Sequence, residues 1–523
     1  MSNILTRRSF LKASAKTAFG VGLASLMNVP PFLKRALAEG NIGINGKKLI
    51  FVFLRGGNDG VNNILPMLDP SYLNNRPLIG IPKHSSPNNN DSYYLQNGGP
   101  ATCPGVDPAE PGAGIPLCNG FAAINPALAS LVPLYKTGKL ALIHRVGYRS
   151  LSRSHFDSEV YWEKGTDGVS ANNRLVADGV WYRTIVESGW NRTHALAGVS
   201  LQSNMPQSLR GVEPMTNLSS INRYNLLGVY PASGSTNVDR IKLLNAIDTS
   251  TFQARPAKDN RELVYNLSVA FRDTLDIFQN PSFQTNEFYD DDGTTHLFPI
   301  GSTSDQAGLG SGAYGFMQSI KSCAQILNST DAVITGTEIG GWDTHTAQTT
   351  VGSPHLGGHT NLMRRVAWAY HSLWKYFSRY ADKATWDNTI LVTMSEFGRT
   401  SAENANMGTD HAEASVMYVA GGGVTGGVYG CDEQPNPKLN NDLNWVRGST
   451  GKTGSLFTAD TNVGYLRRSI DYRSVIGEII RDHLGATQNQ LNRIIPAYAN
   501  PAEALQNGGT VSSTKIMGEL GIV

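Results

Sequence analysis

Carboxylates and imidazoles recur in this 523-residue chain within short, glycine-flanked segments: Arg55-Gly56-Gly57-Asn58-Asp59, Gly340-Gly341-Trp342-Asp343-Thr344-His345, Ser395-Glu396-Phe397-Gly398-Arg399 and Gly408-Thr409-Asp410-His411. Carboxylate oxygen with imidazole nitrogen is the ligand mixture that zinc, manganese and iron accept, while magnesium and calcium take the carboxylates. The pattern points to a divalent metal of one of these kinds, with Asp59, Asp343, His345, Glu396 and His411 as ligand candidates. Asp343 and His345 stand two apart, so in an extended segment both point to the same side. Asp410 is adjacent to His411 and faces the other way there, which suits a hydrogen bond to a ligand better than a bond to the ion. His155 and Asp157, in Ser152-Arg153-Ser154-His155-Phe156-Asp157, offer a further imidazole and carboxylate. Arg55 and Arg399 are candidates to neutralise the oxyanion charge that develops when an ester is attacked beside a metal. Taken singly, each of these residues is an ordinary cap, turn or surface ion-pair residue; what singles them out is their shared placement at strand ends.

The elements that must position them follow from hydropathy. Leu49 to Leu54 is a continuous apolar run, as expected of a strand covered on both faces, and it ends directly before Arg55-Gly56-Gly57. Further strands are predicted at Leu140–Val146, Ala332–Thr335, Thr389–Met394 and Ser415–Ala420. Leu362, Val366, Ala369, Leu373 and Phe377 recur every three or four residues and mark one apolar face of a long helix. Other helical patterns fall near 237–248, 259–279, 313–328 and 472–484. Strands alternating with helices predict an α/β fold with a layered, mostly parallel central sheet flanked by helices, in which ligands gather outside the carboxyl ends. Residues 83–120 are rich in turn formers and read as a long surface excursion, and 200–310 as a helical and loop region.

Composition removes several classes. No run reaches the roughly 18 apolar residues that a bilayer-spanning helix needs, and 40% apolar with 16% charged side chains describes a globular chain. This excludes an integral membrane protein. The formal net charge of +2 comes from the N-terminus, where Arg7, Arg8, Lys12, Lys16, Lys34 and Arg35 meet no acid; without residues 1–38 the chain has 38 basic against 42 acidic side chains. A net −4 with no basic run leaves nucleic acid without an electrostatic footprint. Gly421 to Gly426 fits GxGxxG, but a loop follows where a dinucleotide fold needs a helix. Gly451-Lys452-Thr453 lacks the first glycine of a P-loop, Asp290-Asp291-Asp292-Gly293 lacks calcium-loop spacing, and there is no GxSxG elbow.

Thr6-Arg7-Arg8-Ser9-Phe10-Leu11-Lys12, an apolar stretch from Ala13 to Val29 and Ala36-Leu37-Ala38 have the order of an export signal. The paired arginines resemble the twin-arginine type, so residues 1–38 are read as a signal peptide and 39–523 as one α/β domain. That resemblance implies a bacterial protein exported folded to the periplasm or beyond, with the twin-arginine translocase as its partner. In an oxidising compartment, Cys103 and Cys118 are expected to form a local disulfide, and Cys323, within a helical pattern, a buried thiol.

Segments 53–66, 152–163, 340–345, 393–400 and 408–427 together resemble the bacterial exported family called domain of unknown function 1501. That family is similar to the alkaline phosphatase and sulfatase superfamily, which implies an alkaline-phosphatase-like sheet with metal ligands at its carboxyl ends. By this likeness Asp59 takes the place of the first-strand aspartate ligand, Asp343 and His345 the Asp/His pair, Glu396 a second acidic ligand, and His411 the late histidine before a strand. Ser395-Glu396 replaces the usual Asp-His, so one imidazole must come from elsewhere, and His155 and Asp157 are the sources at hand. The resemblance implies an exported metal-dependent hydrolase of a phosphate or sulfate ester, small or polymeric. The alternative is a non-catalytic periplasmic binding or assembly protein that keeps the fold without turnover.

Overall fold

A computed structural model of the chain describes residues 46–85, 91–169, 176–213, 215–221, 308–434, 443–449, 452–457, 465–506, 508–510 and 516–523, and 274–302 apart from 276, 279, 281, 282 and 284. The signal at 1–38, the helical pattern at 237–248 and most of that at 259–279 lie outside these residues.

Among the described residues, nine strands form the central sheet: β1 (Lys48–Arg55), β2 (Leu140–Gly147), β3 (Gly198–Leu201), β4 (Thr216–Leu218), β5 (Ile334–Gly340), β6 (Thr389–Met394), β7 (Ser415–Gly421), β8 (Gly427–Tyr429) and β9 (Ile470–Asp471). Their order is β8-β2-β7-β6-β1-β5-β3-β4, with β9 also on β2. All run the same way except β7, which is antiparallel to both β6 and β2. The fold is therefore α/β, with a large, mostly parallel mixed sheet.

Every residue of Leu49–Leu54 is at most 2% exposed, because β1 is central and covered on both faces. Ile50, Val52 and Leu54 point into one core with α3 (Tyr314–Ser329) and α4 (Gly358–Arg379). Leu49, Phe51 and Phe53 point into the other with α1 (His155–Lys164), α2 (Val180–Ser188), α5 (Tyr472–Glu478) and α6 (Gln488–Ile494). Alternation along one strand thus feeds two cores, each side chain contributing about 1.5–3 kcal/mol by burial. No helix among the described residues is long and apolar enough to cross a membrane.

The register delivers the strand ends to one place. Arg55 lies opposite Gly340, and Phe53 opposite Met394, so β1, β5 and β6 finish at the same edge. The expected strand at 332–335 in fact runs Ile334–Gly340, straight into the Gly341 loop. Pairing on both sides carries its polar residues, and Gly336 leaves room for Phe51, whose ring lies 2.2 Å from where a Cβ would be. Being reversed, β7 begins at this edge instead of ending there, with Ser415 opposite Val146 of β2.

Two expectations change. Residues 83–85 and 91–120 are not surface throughout: Tyr94 and Cys118 are fully buried, and Ile115–Pro116 pairs with Ala123–Ile124, itself paired with Ile64–Leu65. The scattered apolar residues of the segment draw it onto the core despite its turn formers. Cys103 and Cys118 stand as free, buried thiols and not as a disulfide. The two are brought together by Gly98 and Gly99 N–H groups donating to Cys118 O at 3.2 and 3.1 Å. Cys323 is a buried thiol, as expected.

Candidate metal centre

Three loops and one helix start meet at the shared edge. The β1 loop needs Gly56, at φ 120°, because a Cβ there would lie 2.5 Å from Asp343 N. The loop after β5 brings Asp343 and His345; the segment before β7 brings His411, held opposite Arg399 in a short antiparallel ladder of Gly398–Arg399 with His411–Ala412. His155 opens α1, whose N-cap is Ser154.

Four donor atoms converge. Asp343 Oδ1 lies 3.6 Å from His155 Nε2, 3.1 Å from His345 Nε2 and 3.4 Å from His411 Nε2. His345 Nε2 and His411 Nε2 are 2.9 Å apart. Around a zinc ion with bonds of about 2.0–2.1 Å, tetrahedral ligands stand about 3.3 Å from one another, and the distances of 3.6 and 3.4 Å from Asp343 Oδ1 to His155 and His411 are close to that value.

The second nitrogen of each imidazole fixes the tautomer. His155 Nδ1 bonds Glu396 Oε1 at 2.8 Å, His345 Nδ1 bonds Asp410 Oδ1 at 2.9 Å, and His411 Nδ1 bonds Arg153 O at 2.8 Å. A carbonyl or carboxylate only accepts, so Nδ1 carries the hydrogen, and a ring in its neutral form aims an Nε2 lone pair at the centre. His155 Nε2 has no hydrogen-bond partner. Two lone pairs facing each other at 2.9 Å repel unless a proton or a cation lies between them. His155, Asp343 and His411 each offer one ligand atom within 4.8 Å of the other two and so fit a divalent ion, with Glu396 and Arg153 O behind the imidazoles and His345, held by Asp410, beside Asp343 and His411. The side chains of Asp343 and His345 are 48% and 41% exposed, which leaves the centre open to solvent on one side.

Charge is tuned at each donor. Burial pushes the Asp343 carboxyl up, but the Arg399 bond and charge outweigh it and hold it below the usual range. The hydrogen bond that His155 donates to Glu396 raises the His155 pKa against the opposing pull of burial. Burial, helped by the Arg399 charge, lowers that of His411. Phe397, 1% exposed, forms the floor, its ring centroid 4.7 Å from those of both His155 and His411.

Of the expected ligands, Asp343, His345, His411 and His155 come together; the others are placed differently. Asp59 is fully buried, and its two oxygens take a bidentate bond from Arg76 at 2.6 and 2.9 Å and one from Gln348 Nε2 at 2.6 Å. An adjacent cation thus occupies the carboxylate that sequence offered to the metal. Glu396, also fully buried, accepts from His155 and from Gly56 N at 2.7 Å, so it orients the imidazole from behind. Asp157 stands at the first turn of α1 and accepts from Ser152 Oγ; two residues on from His155 in a helix is about 200° of rotation, away from the centre.

Neither arginine has the role first expected of it. Arg399, fully buried, donates to Gly57 O at 2.8 Å, Thr409 O at 3.1 Å, Trp342 O at 3.3 Å, Gly56 O and Asp343 Oδ1 at 2.5 Å, which ties the loops together instead of facing a substrate. Arg55 is ringed by Glu159 and Glu163 at 2.9 and 2.8 Å and by Glu338. Sequence reasoning missed the Arg153 carbonyl, Phe397 and Gln348: a main-chain acceptor and a floor residue carry no type signal, although Phe397 adjoins Glu396.

A mostly parallel α/β sheet with an imidazole and carboxylate cluster at its strand ends defines the class of protein. The chain belongs to the family described as protein of unknown function (DUF1501), which it matches over residues 46–438. No curated protein and no solved structure matches it.

Proposed function

We propose that this is an exported, metal-dependent hydrolase of a phosphate or sulfate ester, built on the plan of the alkaline phosphatase and sulfatase superfamily. The observation that supports it is the convergence of three Nε2 lone pairs and one carboxylate oxygen at the open edge of the sheet. A bound divalent ion polarises an ester oxygen and lowers the pKa of an attacking water. The chain's part is to hold each imidazole in one tautomer through Glu396, Asp410 and Arg153 O, and to limit the charge on Asp343 through Arg399. The basic N-terminus supports export through the twin-arginine route to the periplasm or beyond.

A second reading, a binding or assembly protein without turnover, is favoured by one feature: among the described residues, no hydroxyl or thiol is a hydrogen-bond partner of these donor atoms. Elemental analysis of the purified protein, with turnover of an aryl phosphate and an aryl sulfate, separates the two. Bound metal with turnover supports hydrolysis, and a metal-free, inactive but folded protein supports the second reading.

A further inference from the structure

Gln348 follows His345 by three residues and is fully buried. A carboxamide has two N–H donors and a carbonyl oxygen with two lone pairs, and burial demands that they find partners. Gln348 Nε2 donates to Asp59 Oδ2 at 2.6 Å, while Gln348 Oε1 accepts from Thr344 Oγ1 at 3.0 Å and Thr409 Oγ1 at 2.7 Å. Its main chain is held as well, with its N–H donating to Met407 O at 2.9 Å and its carbonyl accepting from His359 N at 3.2 Å.

The placement of those hydroxyls carries the argument. Thr344 lies between Asp343 and His345, and Thr409 lies two residues before His411. One amide oxygen therefore links the two loops that bring three of the four donor atoms, which also meet through Thr409 N donating to Thr344 O at 3.1 Å. On its other side, the amide is anchored to Asp59, which Arg76 fixes; Arg76 in turn donates to Thr400 O at 2.7 Å and Ser401 O at 2.8 Å. Every direction in which Gln348 could shift breaks a buried bond, so the separation of the loops is set from below.

We infer that Gln348 is a positioning residue that sets the spacing of His345 and His411 and thereby the metal affinity, without touching the ion; the inference rests on the metal reading above. The test uses the full chain, stripped with a chelator and titrated with Zn²⁺ against a chromophoric competitor, with the visible spectrum of the Co²⁺ form as a report on ligand geometry. Gln348→Ala is expected to weaken Zn²⁺ about 10- to 100-fold and to alter the Co²⁺ bands, as outer-shell changes do. Thr344→Val and Thr409→Val, which each delete one donor at constant shape, are expected to weaken it several-fold. A folded Gln348→Ala protein with unchanged affinity and spectrum overturns the inference. If that variant does not fold, unchanged affinity and spectrum in both valine variants overturn it instead. A wild-type chain that takes up neither ion defeats the metal reading itself, which the wild-type titration shows on its own.

Discussion

Asp59→Ala should destabilise the protein even when no metal is bound. Both members of the Asp59–Arg76 pair are fully buried, and Arg76 holds the carboxyl below its usual range in spite of the opposing effect of burial. Truncating Asp59 leaves the guanidinium buried with only the Thr400 and Ser401 carbonyls, and Gln348 Nε2 without its acceptor. Removing one partner of a buried pair costs about 3–5 kcal/mol, because the remaining charge is uncompensated. With an unfolding entropy of about 2.1 cal/mol/K per residue, a chain of this length loses roughly 1 °C of Tm per kcal/mol, so a fall of about 3–5 °C is expected. The urea midpoint, followed by tryptophan fluorescence in chelator and again with Zn²⁺, should drop in both conditions. Adding Arg76→Met should recover part of the loss by removing the orphaned charge. An Asp59→Ala protein of wild-type stability in chelator, losing only the increment that metal adds, would refute this reasoning and return Asp59 to the ligand set.

His345→Ala and His411→Ala should each lower metal content by elemental analysis and remove the metal-dependent part of Tm, since an ion bound to the native state stabilises it by mass action. Asp410→Ala should do so less, because Asp410 only supports His345 Nδ1. Burial lowers His359 and His483 to about 4, so the native state takes up fewer protons than the unfolded chain; their contribution is present above about pH 6.5 and lost as pH falls to 4. That is about 3 kcal/mol each, read as a falling urea midpoint between pH 7 and 4, and His483→Gln should flatten the fall. Replacing Arg7 and Arg8 by lysine should leave the precursor in the cytoplasm, checked by fractionation; unchanged export would defeat the twin-arginine reading.

Much of the framework was legible from local pattern. The apolar runs of β1 and β6 and the three-to-four spacing in α4 appear where expected, because burial on both faces of a strand or one face of a helix leaves a local signature. The two short parallel strands β3 and β4 were not anticipated, since four and three residues carry too little periodicity. The direction of β7 was also unreadable: Ser415–Gly421 is uniformly buried and looks the same in either sense.

Residue types and local pattern establish which chemical groups exist and that they cluster at the ends of predicted strands. They supply the imidazoles of His155, His345 and His411 and the carboxylate of Asp343, since residue type and a glycine-bounded strand end are local properties. Only the tertiary structure decided which carboxylates face one another and which are already neutralised. Asp59 and Asp343 are both acids in glycine-rich loops and each meets an arginine, but Arg76 takes both oxygens of the first in full burial, while Arg399 reaches Oδ1 of the second, which stays half exposed among three imidazoles. Glu396 goes behind His155 and not beside it, because Gly56 N and His155 Nδ1 take its Oε1. A side chain's role follows from the partner it meets, and those partners lie up to 340 positions away, beyond the reach of any local pattern.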